Sequence, residues 1–582
     1  MENQRNLILA IVLSALVLLG WSTISSKYFP VANPPATKIV DGQTVAITPA
    51  NIPAPTTAPV LQDRAKVLAA TSRVAIQTPK LKGSINLTGA RIDDLVLSTY
   101  RETIEKDSPP IRLLAPDGSA DAYYAGFGWT GDGRSAPNLT TVWQADGSVL
   151  TPEKPVTLRW QNTSGQIFAL KFSVDANFMF TVEQSVANAG TAPFAAQSFA
   201  YIGRAGKSKD PDVWTAHVGP IGVSNHAANY DINFDNLTGS EPGFFAKVFG
   251  TKAVAGVNSS TTTGGWLGFG DKFWLTALVM PNSGKSEAAF RATARGYQAD
   301  FKAPEMAIQP GTKVATSTRF FAGAKEVNTL DGYETNLNIP LFGKGIDWGW
   351  FEIVEKPIFH YLHWLFGLVG NFGVAIMLLT LTVRGLMFPV AQRQFASMAG
   401  MRVVQPKMKA IQERYKDDKA RQQQEIMALY KAEKVNPLAG CLPIFLQIPI
   451  FYALYKVLVL TIEMRHQPFV LWIKDLSAPD PLTPVNLFGL IPFTVPHAIA
   501  IGVLPILVGV TQYMQFKLNP TPMDAAQAQV FKFMPWILVF VMAPFAAGLQ
   551  LYWMTSNTLT ILQQKWLYSR HPGLKAQPAE AK

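Results

Sequence analysis

The stretch Phe372-Gly-Val-Ala-Ile-Met-Leu-Leu-Thr380-Leu-Thr382-Val-Arg384-Gly-Leu-Met-Phe-Pro389 decides what kind of molecule this is. It is almost continuous apolar chain, without strand-like alternation, and it carries one cation. Apolar runs of this kind belong to membrane spans. A guanidinium near the bilayer centre costs ~2.5–3.5 kcal/mol on insertion scales. Arginine cannot escape that cost by losing its proton. Arg384 therefore either snorkels to the nearer headgroups or faces a charged, wet cavity between helices.

Further apolar runs flank this one. With it they cover roughly 359–389, 441–462, 498–516, 533–548 and 549–568. Leu7 to Ile24 adds another, behind a short polar head containing Arg5. No small-residue cleavage site follows it, so residues 1–26 read as an uncleaved signal anchor. Six spans are expected, the last two joined by a tight turn near Pro544 to Gly548. Composition agrees. Of 582 residues 48% are hydrophobic and only 16% charged, where ~25% charged is usual. That excludes disorder and an ordinary all-soluble enzyme. The single cysteine, Cys441, excludes an intrachain disulfide framework and a cysteine-based zinc site.

Charge placement gives the orientation. Residues 390–435 hold ten Lys/Arg against five Asp/Glu, whereas 27–350 hold 29 against 27. Dense basic loops stay in the cytoplasm. The large near-neutral region is then exported, and six spans put both ends in the cytoplasm. A basic tail at 569–582, with Arg570, Lys575 and Lys582, agrees. No basic stripe with interleaved aromatics invites nucleic acid.

Residues 27–79 are rich in Pro, Ala and Thr and read as an extended linker. From 80 to 340 short period-two runs take over. Val156 to Trp160 alternates, as do Phe168, Leu170, Phe172 and Val174, then Phe178, Phe180 and Val182. Asn162 to Gly165 and Asn188 to Gly190 separate them as turns. The pattern predicts an antiparallel β-sandwich. Gly126-Phe-Gly128-Trp-Thr-Gly131 matches a dinucleotide fingerprint, but no helix pattern follows it, and it reads as a turn. Gly206-Lys207-Ser208 and Gly284-Lys285-Ser286 lack the earlier glycine of a phosphate loop. His360 and His363 sit three apart with no third ligand, so no metal and no cofactor is expected.

Residues 341–358, with Trp348, Trp350 and Phe351, read as an interfacial amphipathic segment before the span 359–389. In 390–440, Met398, Met401, Val404, Met408, Ile411 and Tyr415 recur at steps of three and four. Asp417-Asp418 then marks a turn, and Ile426, Leu429 and Tyr430 continue a second run. This predicts a helical hairpin with an apolar seam and basic outer faces. It either fixes topology alone or docks a ribosome, a targeting particle or a nascent chain. Its candidate docking residues are Arg402, Lys407, Lys409, Arg414 and Lys416. The region 441–568 holds the remaining four spans. No Asp or Glu lies inside any predicted span, so Arg384 has no obvious buried partner there. Gln447, Gln512, Gln515, Gln550, Ser556, Asn557, Gln563 and Gln564 are either interhelical hydrogen-bonding groups or the lining of a wet cavity.

Tyr430-Lys-Ala-Glu-Lys-Val-Asn-Pro-Leu-Ala-Gly-Cys-Leu-Pro-Ile-Phe-Leu-Gln-Ile-Pro-Ile-Phe-Tyr-Ala-Leu-Tyr455 closely resembles the YidC/Oxa/Alb family of membrane insertases. So do Val383-Arg384-Gly385 and Leu551-Tyr-Trp-Met-Thr-Ser-Asn557. The resemblance covers about 350–570. The anchor and large exported region resemble its Gram-negative form in architecture. It implies a polytopic α-helical membrane protein with a five-helix core around a hydrophilic groove and a β-supersandwich in the periplasm. It implies an inner-membrane insertase and foldase, not an enzyme. Its partners would be nascent membrane protein clients, the Sec translocon, and a ribosome or signal recognition particle, with phospholipid around it. Arg384 matches the groove arginine, Thr380 lies one turn before it, and Tyr552 and Trp553 match positions facing the client. Some members carry Tyr where this chain has Trp553. Gln447, Gln512 and Asn557 complete the candidate groove. The segment Val485 to Pro496 looks added. The alternative is a transporter or channel with a carbohydrate-binding exported domain; the missing intramembrane carboxylates count against it.

Overall fold

The period-two runs become strands. The computed structural model describes residues 37–40, 43–46, 61–130, 136–208, 216–238, 257–416, 418–433, 442–491, 500–518 and 525–570. The chain divides into two units, Met1–Asp347 and Trp348–Lys582. The expected anchor at 1–26 and the tail beyond Arg570 lie outside the described residues.

The first unit holds a nine-stranded and an eleven-stranded sheet. The nine-stranded one runs from Ala227–Asn229 through Gly219–Ser224, Trp266–Gly270, Trp274–Val279, Lys313–Ala324, Met179–Asn188, Gln166–Val174 and Val156–Gln161 to Gln144–Ala145. The main path of the other runs from Val257–Thr262 through Ser286–Thr293, Gly296–Lys302, Phe194–Arg204, Tyr123–Thr130, Arg91–Arg101, Leu81–Asn86 and Arg73–Gln77 to Val149–Leu150. Neighbours are antiparallel except Arg73–Gln77 with Val149–Leu150. Facing aromatics fill the space between the sheets. Phe127 meets Phe172 edge-on at 5.9 Å, and Trp129 meets Phe168 at 5.2 Å. Tyr123 and Thr276 share a 2.6 Å hydroxyl hydrogen bond across it, which satisfies both of those buried hydroxyls.

Two expectations change here. The glycine-rich motif at 126–131 is not a turn: Gly126 and Gly128 lie inside the strand Tyr123–Thr130. Their role is space. A Cβ on Gly126 would stand 2.5 Å from the Tyr201 ring, and one on Gly128 would stand 2.9 Å from Phe199. The Tyr201 and Phe199 rings of the neighbouring strand occupy the space a Cβ would need. The Pro-rich stretch is not uniform tether either. Thr37–Val40 pairs with Gln43–Ala46 as a ribbon, and Asp63 caps a short helix Arg64–Ala69. The sheet begins at Arg73, before the expected boundary at 80.

Asp300 is buried in this unit, bonded to Arg291 at 2.7 Å and to Gln298. Burial pushes its carboxyl up to about 6, against the pull of Arg291. A carboxyl with a higher pKa folded than unfolded binds protons better in the folded state. Its contribution to stability is therefore largest in acid and falls as pH rises from about 4 through about 6. Thermal unfolding of the full-length protein should show this slope, and Asp300→Asn should flatten it. An unchanged profile in the variant would refute the assignment.

The second unit is helical. Its elements are α1 (Glu352–Val369), α2 (Phe372–Leu386), α3 (Phe388–Arg414), α4 (Lys419–Ala432), α5 (Leu442–Leu460), α6 (Val503–Leu518), α7 (Ala525–Met542) and α8 (Ala547–Arg570). Among the described residues, no helix is long and apolar enough to cross a membrane. The run 359–389 is broken rather than continuous. Gly370 ends α1 in the left-handed region at φ 68°, which glycine adopts without a Cβ clash. Asn371 then caps α2 by accepting from the Val374 N–H at 3.1 Å. Phe366 and Phe372 stack across the break at 3.8 Å. Helices α3 and α4 form the hairpin. Val404 and Met408 pack on Tyr430, with Ile426 and Leu429 alongside. The side chains of Met398 and Met401 lie outside the described residues.

Candidate functional site

Helix α8 organises the site because a helix repeats every 3.6 residues. Tyr552 and Ser556 share one stripe, and Trp553 and Asn557 the next. Helix α8 packs against α2, α5 and α6; Ser556 meets α2, Tyr552 meets α5, and Trp553 and Asn557 both meet α6.

Arg384 sits in the last turn of α2 and is partly buried. Its Nε donates to Ser556 Oγ at 3.1 Å, and its Nη2 donates to the same oxygen. Among the described residues no carboxylate forms an ion pair with it. Guanidinium offers five N–H donors, and one serine oxygen occupies only part of that fork. Gln447 on α5 donates to the Tyr552 hydroxyl at 2.5 Å. Trp553 Nε1 donates to Gln512 Oε1 on α6 at 3.2 Å, and its ring stands edge-on to Phe451 at 4.8 Å. Asn557 Nδ2 donates to Thr511 Oγ1 at 3.2 Å. Six candidates thus gather on or beside α8. Thr380 differs. It is buried on α2, and its hydroxyl donates to the Ile376 carbonyl of its own helix at 2.6 Å.

Ser556 is the residue whose role the sequence reading left unassigned. It stood there only as a general polar group, although its spacing from Tyr552 put it on the right stripe. Two charged residues went unremarked. Lys456 is buried within α5, and Glu355 is fully buried in the first turn of α1, which packs on α5. Apart from these two, some polar side-chain atoms inside the unit are buried without a hydrogen-bond partner among the described residues. They include Gln515 Oε1, Thr555 Oγ1 and Gln563 Nε2.

The hairpin candidates lie elsewhere on the unit. Lys407 pairs with Glu433 at 2.6 Å, joining α3 to the end of α4. Lys409, Arg414 and Lys416 are exposed, and Arg414 lies over the Tyr415 ring. The Arg402 side chain lies outside the described residues.

Two family models match the chain. One, described as 60Kd inner membrane protein, matches residues 364–574. The other, described as YidC periplasmic domain, matches residues 73–361. A membrane protein insertase YidC of Zymomonas mobilis is 46% identical over 572 residues, covering 98% of this chain and 96% of that one. Another, of Methylobacterium nodulans, is 43% identical over 596 residues, covering 99% and 96%. A crystal structure titled as an active YidC insertase with the first transmembrane domain resolved is 16% identical. It covers 95% of this chain and 98% of that chain, with a TM-score of 0.35.

Proposed function

Because the chain belongs to the YidC family of membrane protein insertases, we propose that it carries clients into the inner membrane along the polar face of α8. It is a non-enzymatic inner-membrane protein, and its cycle needs no covalent chemistry. The observation that carries the reading is the Arg384–Ser556 pairing: a guanidinium held on one side by a neutral oxygen, with no carboxylate partner among the described residues. Such a cation attracts anions more strongly than it would in bulk water. A client's short acidic tail enters beside Arg384. The apolar segment behind it then slides along the helices into lipid. Burial of ~20 apolar residues at ~25 cal/mol/Å² supplies the driving force, so no nucleotide is required.

Buried polar atoms without a hydrogen-bond partner among the described residues, such as Gln515 Oε1 and Gln563 Nε2, support this route, since they are costly in a dry site and tolerable in a wet one. We assign six spans, at 7–24, 359–389, 441–462, 498–516, 533–548 and 549–568. The helix pair α1–α2 shares the second assignment, with α1 partly interfacial. Both ends face the cytoplasm and residues 80–340 the periplasm. Exposed Lys409, Arg414 and Lys416 suit the hairpin to an acidic partner such as a ribosome or targeting particle, and the Sec translocon is a further partner.

The transporter or channel alternative is not favoured, since relatives matching nearly the full chain carry the insertase name. Reconstitution tests the proposal. The purified protein in liposomes should insert a single-span client without nucleotide. Empty liposomes inserting it equally well would end the reading.

A further inference from the structure

The connection between α5 and α6 holds backbone that its own residues disfavour. Leu487 and Phe488 sit in the left-handed region at φ 49° and 60°, where a Cβ crowds the backbone and glycine is the ordinary occupant. Both are large and apolar, and both are exposed, at 54% and 53%. Leu471, earlier in the connection, repeats the combination at φ 56° and 83% exposed. Leu490 is 82% exposed. Strained residues that are not buried gain little packing inside the chain, so what offsets the strain lies outside it.

The base of the connection is fixed. Asp480 is buried, and its carboxylate accepts from Trp472 Nε1 at 2.9 Å, from the Leu482 N–H at 3.0 Å and from the Leu504 N–H of α6 at 2.7 Å. The Val503 N–H, at the start of α6, donates to the Leu482 carbonyl at 2.9 Å. The Ala547 and Gly548 N–H groups, at the start of α8, donate to the Ala478 and Leu476 carbonyls at 2.8 and 2.9 Å. The tip closes on itself. The Phe488 N–H donates to the Thr483 carbonyl at 3.0 Å, the Ile491 N–H to the Asn486 carbonyl at 3.1 Å and the Val485 N–H to Thr483 Oγ1 at 3.3 Å. Donors satisfied within the turn suit a medium that offers few hydrogen bonds.

The sequence around the tip names that medium. From Pro481 to Phe516 there is no Asp, Glu, Lys or Arg. On α6, Leu507, Val510 and Met514 are exposed and spaced three and four apart, an apolar stripe on one helix face. The tip is therefore an exposed apolar surface hydrogen-bonded to the start of a helix assigned above to a span. The basic hairpin precedes α5, so this connection lies at the opposite, periplasmic end.

We propose that residues 485–491, with Leu471, form an interfacial anchor whose apolar side chains lie in the periplasmic leaflet of the bilayer. Through Asp480 and the Leu476 and Ala478 carbonyls, the anchor holds the starts of α6 and α8 at one depth. The inference rests on the reading of α6 as a span.

The test uses the full-length protein with Cys441→Ser, reconstituted in liposomes. A nitrobenzoxadiazole probe is attached at Leu490→Cys or, separately, at Val510→Cys. Lipids carry a doxyl quencher either near the headgroup or at the chain end. The Leu490 probe should show blue-shifted emission and lose most of it to the headgroup-proximal quencher. The Val510 probe should be quenched by lipid as well. Quenching at Val510 alone overturns the anchor and leaves the span standing, whereas no quenching at either overturns the span reading too. Blue-shifted emission at Leu490 without lipid quenching means that protein covers the tip, and overturns the lipid assignment. In a Leu487→Gly, Phe488→Gly background the backbone loses its strain, so the thermal midpoint should hold while the Leu490 probe loses its lipid quenching. Unchanged quenching there overturns the role of those two side chains.

Discussion

Arg384→Ala is expected to slow insertion of an acidic-tailed client about tenfold or more, while Arg384→Lys stays within about threefold of wild type. The difference follows from what the guanidinium does. Its fork is engaged by Ser556 through Nε and Nη2, and the remaining donors are not engaged by a carboxylate among the described residues. A lysine keeps the charge but cannot reproduce the two-point grip on Ser556. If charge is the working property, Lys suffices; if the fork were needed, Lys would resemble Ala. A client with a neutral tail should respond weakly to either change. Insertion is measured by protease protection of the translocated tail in liposomes containing the pure variant. Normal insertion by both variants would remove the electrostatic role.

The second large effect is on folding. Gly126→Val should destabilise the β-rich unit by about 3 kcal/mol. Any Cβ there meets the Tyr201 ring at 2.5 Å, and that ring is itself buried with Tyr124 and Phe199. The cost is steric, so it should be non-additive. Tyr201→Ala opens the space and should recover part of the loss in the double variant. Thermal unfolding of the full-length protein in detergent, followed by tryptophan fluorescence, reads both. Wild-type stability in Gly126→Val would mean that the face of the strand is open.

These two residues also mark what sequence reading reaches. The alternation from Val156 to Val182 announced strands because side-chain direction has period two, and that is a local property. Gly126 gave no such signal. Its reason is a ring on a strand over seventy residues away, paired through Tyr201↔Gly126, and register between distant strands is not written in either segment. By contrast the break at Gly370-Asn371 carried a local signal, although 359–389 was read as one span. Glycine followed by asparagine between apolar runs is a helix stop and a helix start, and the length of the apolar run masked it. Among the candidate site residues, Arg384 stood out as a cation in an apolar run, and Tyr552 and Trp553 through the motif that carries the family resemblance. Ser556 needed the helical stripe to be followed one turn further. Lys456 was passed over because one cation in an apolar run resembles any other until its burial is known.

The most direct measurement exchanges the charges. Arg384→Glu should slow a client whose tail carries aspartates, and should regain speed when those aspartates are replaced by lysines. The wild-type protein should show the opposite preference. Insertion rates for the four combinations in liposomes, at low and high salt, give the coupling. A crossed pattern that weakens with salt is what the account predicts. Rates that follow the protein variant alone, whatever the sign of the tail, would contradict it.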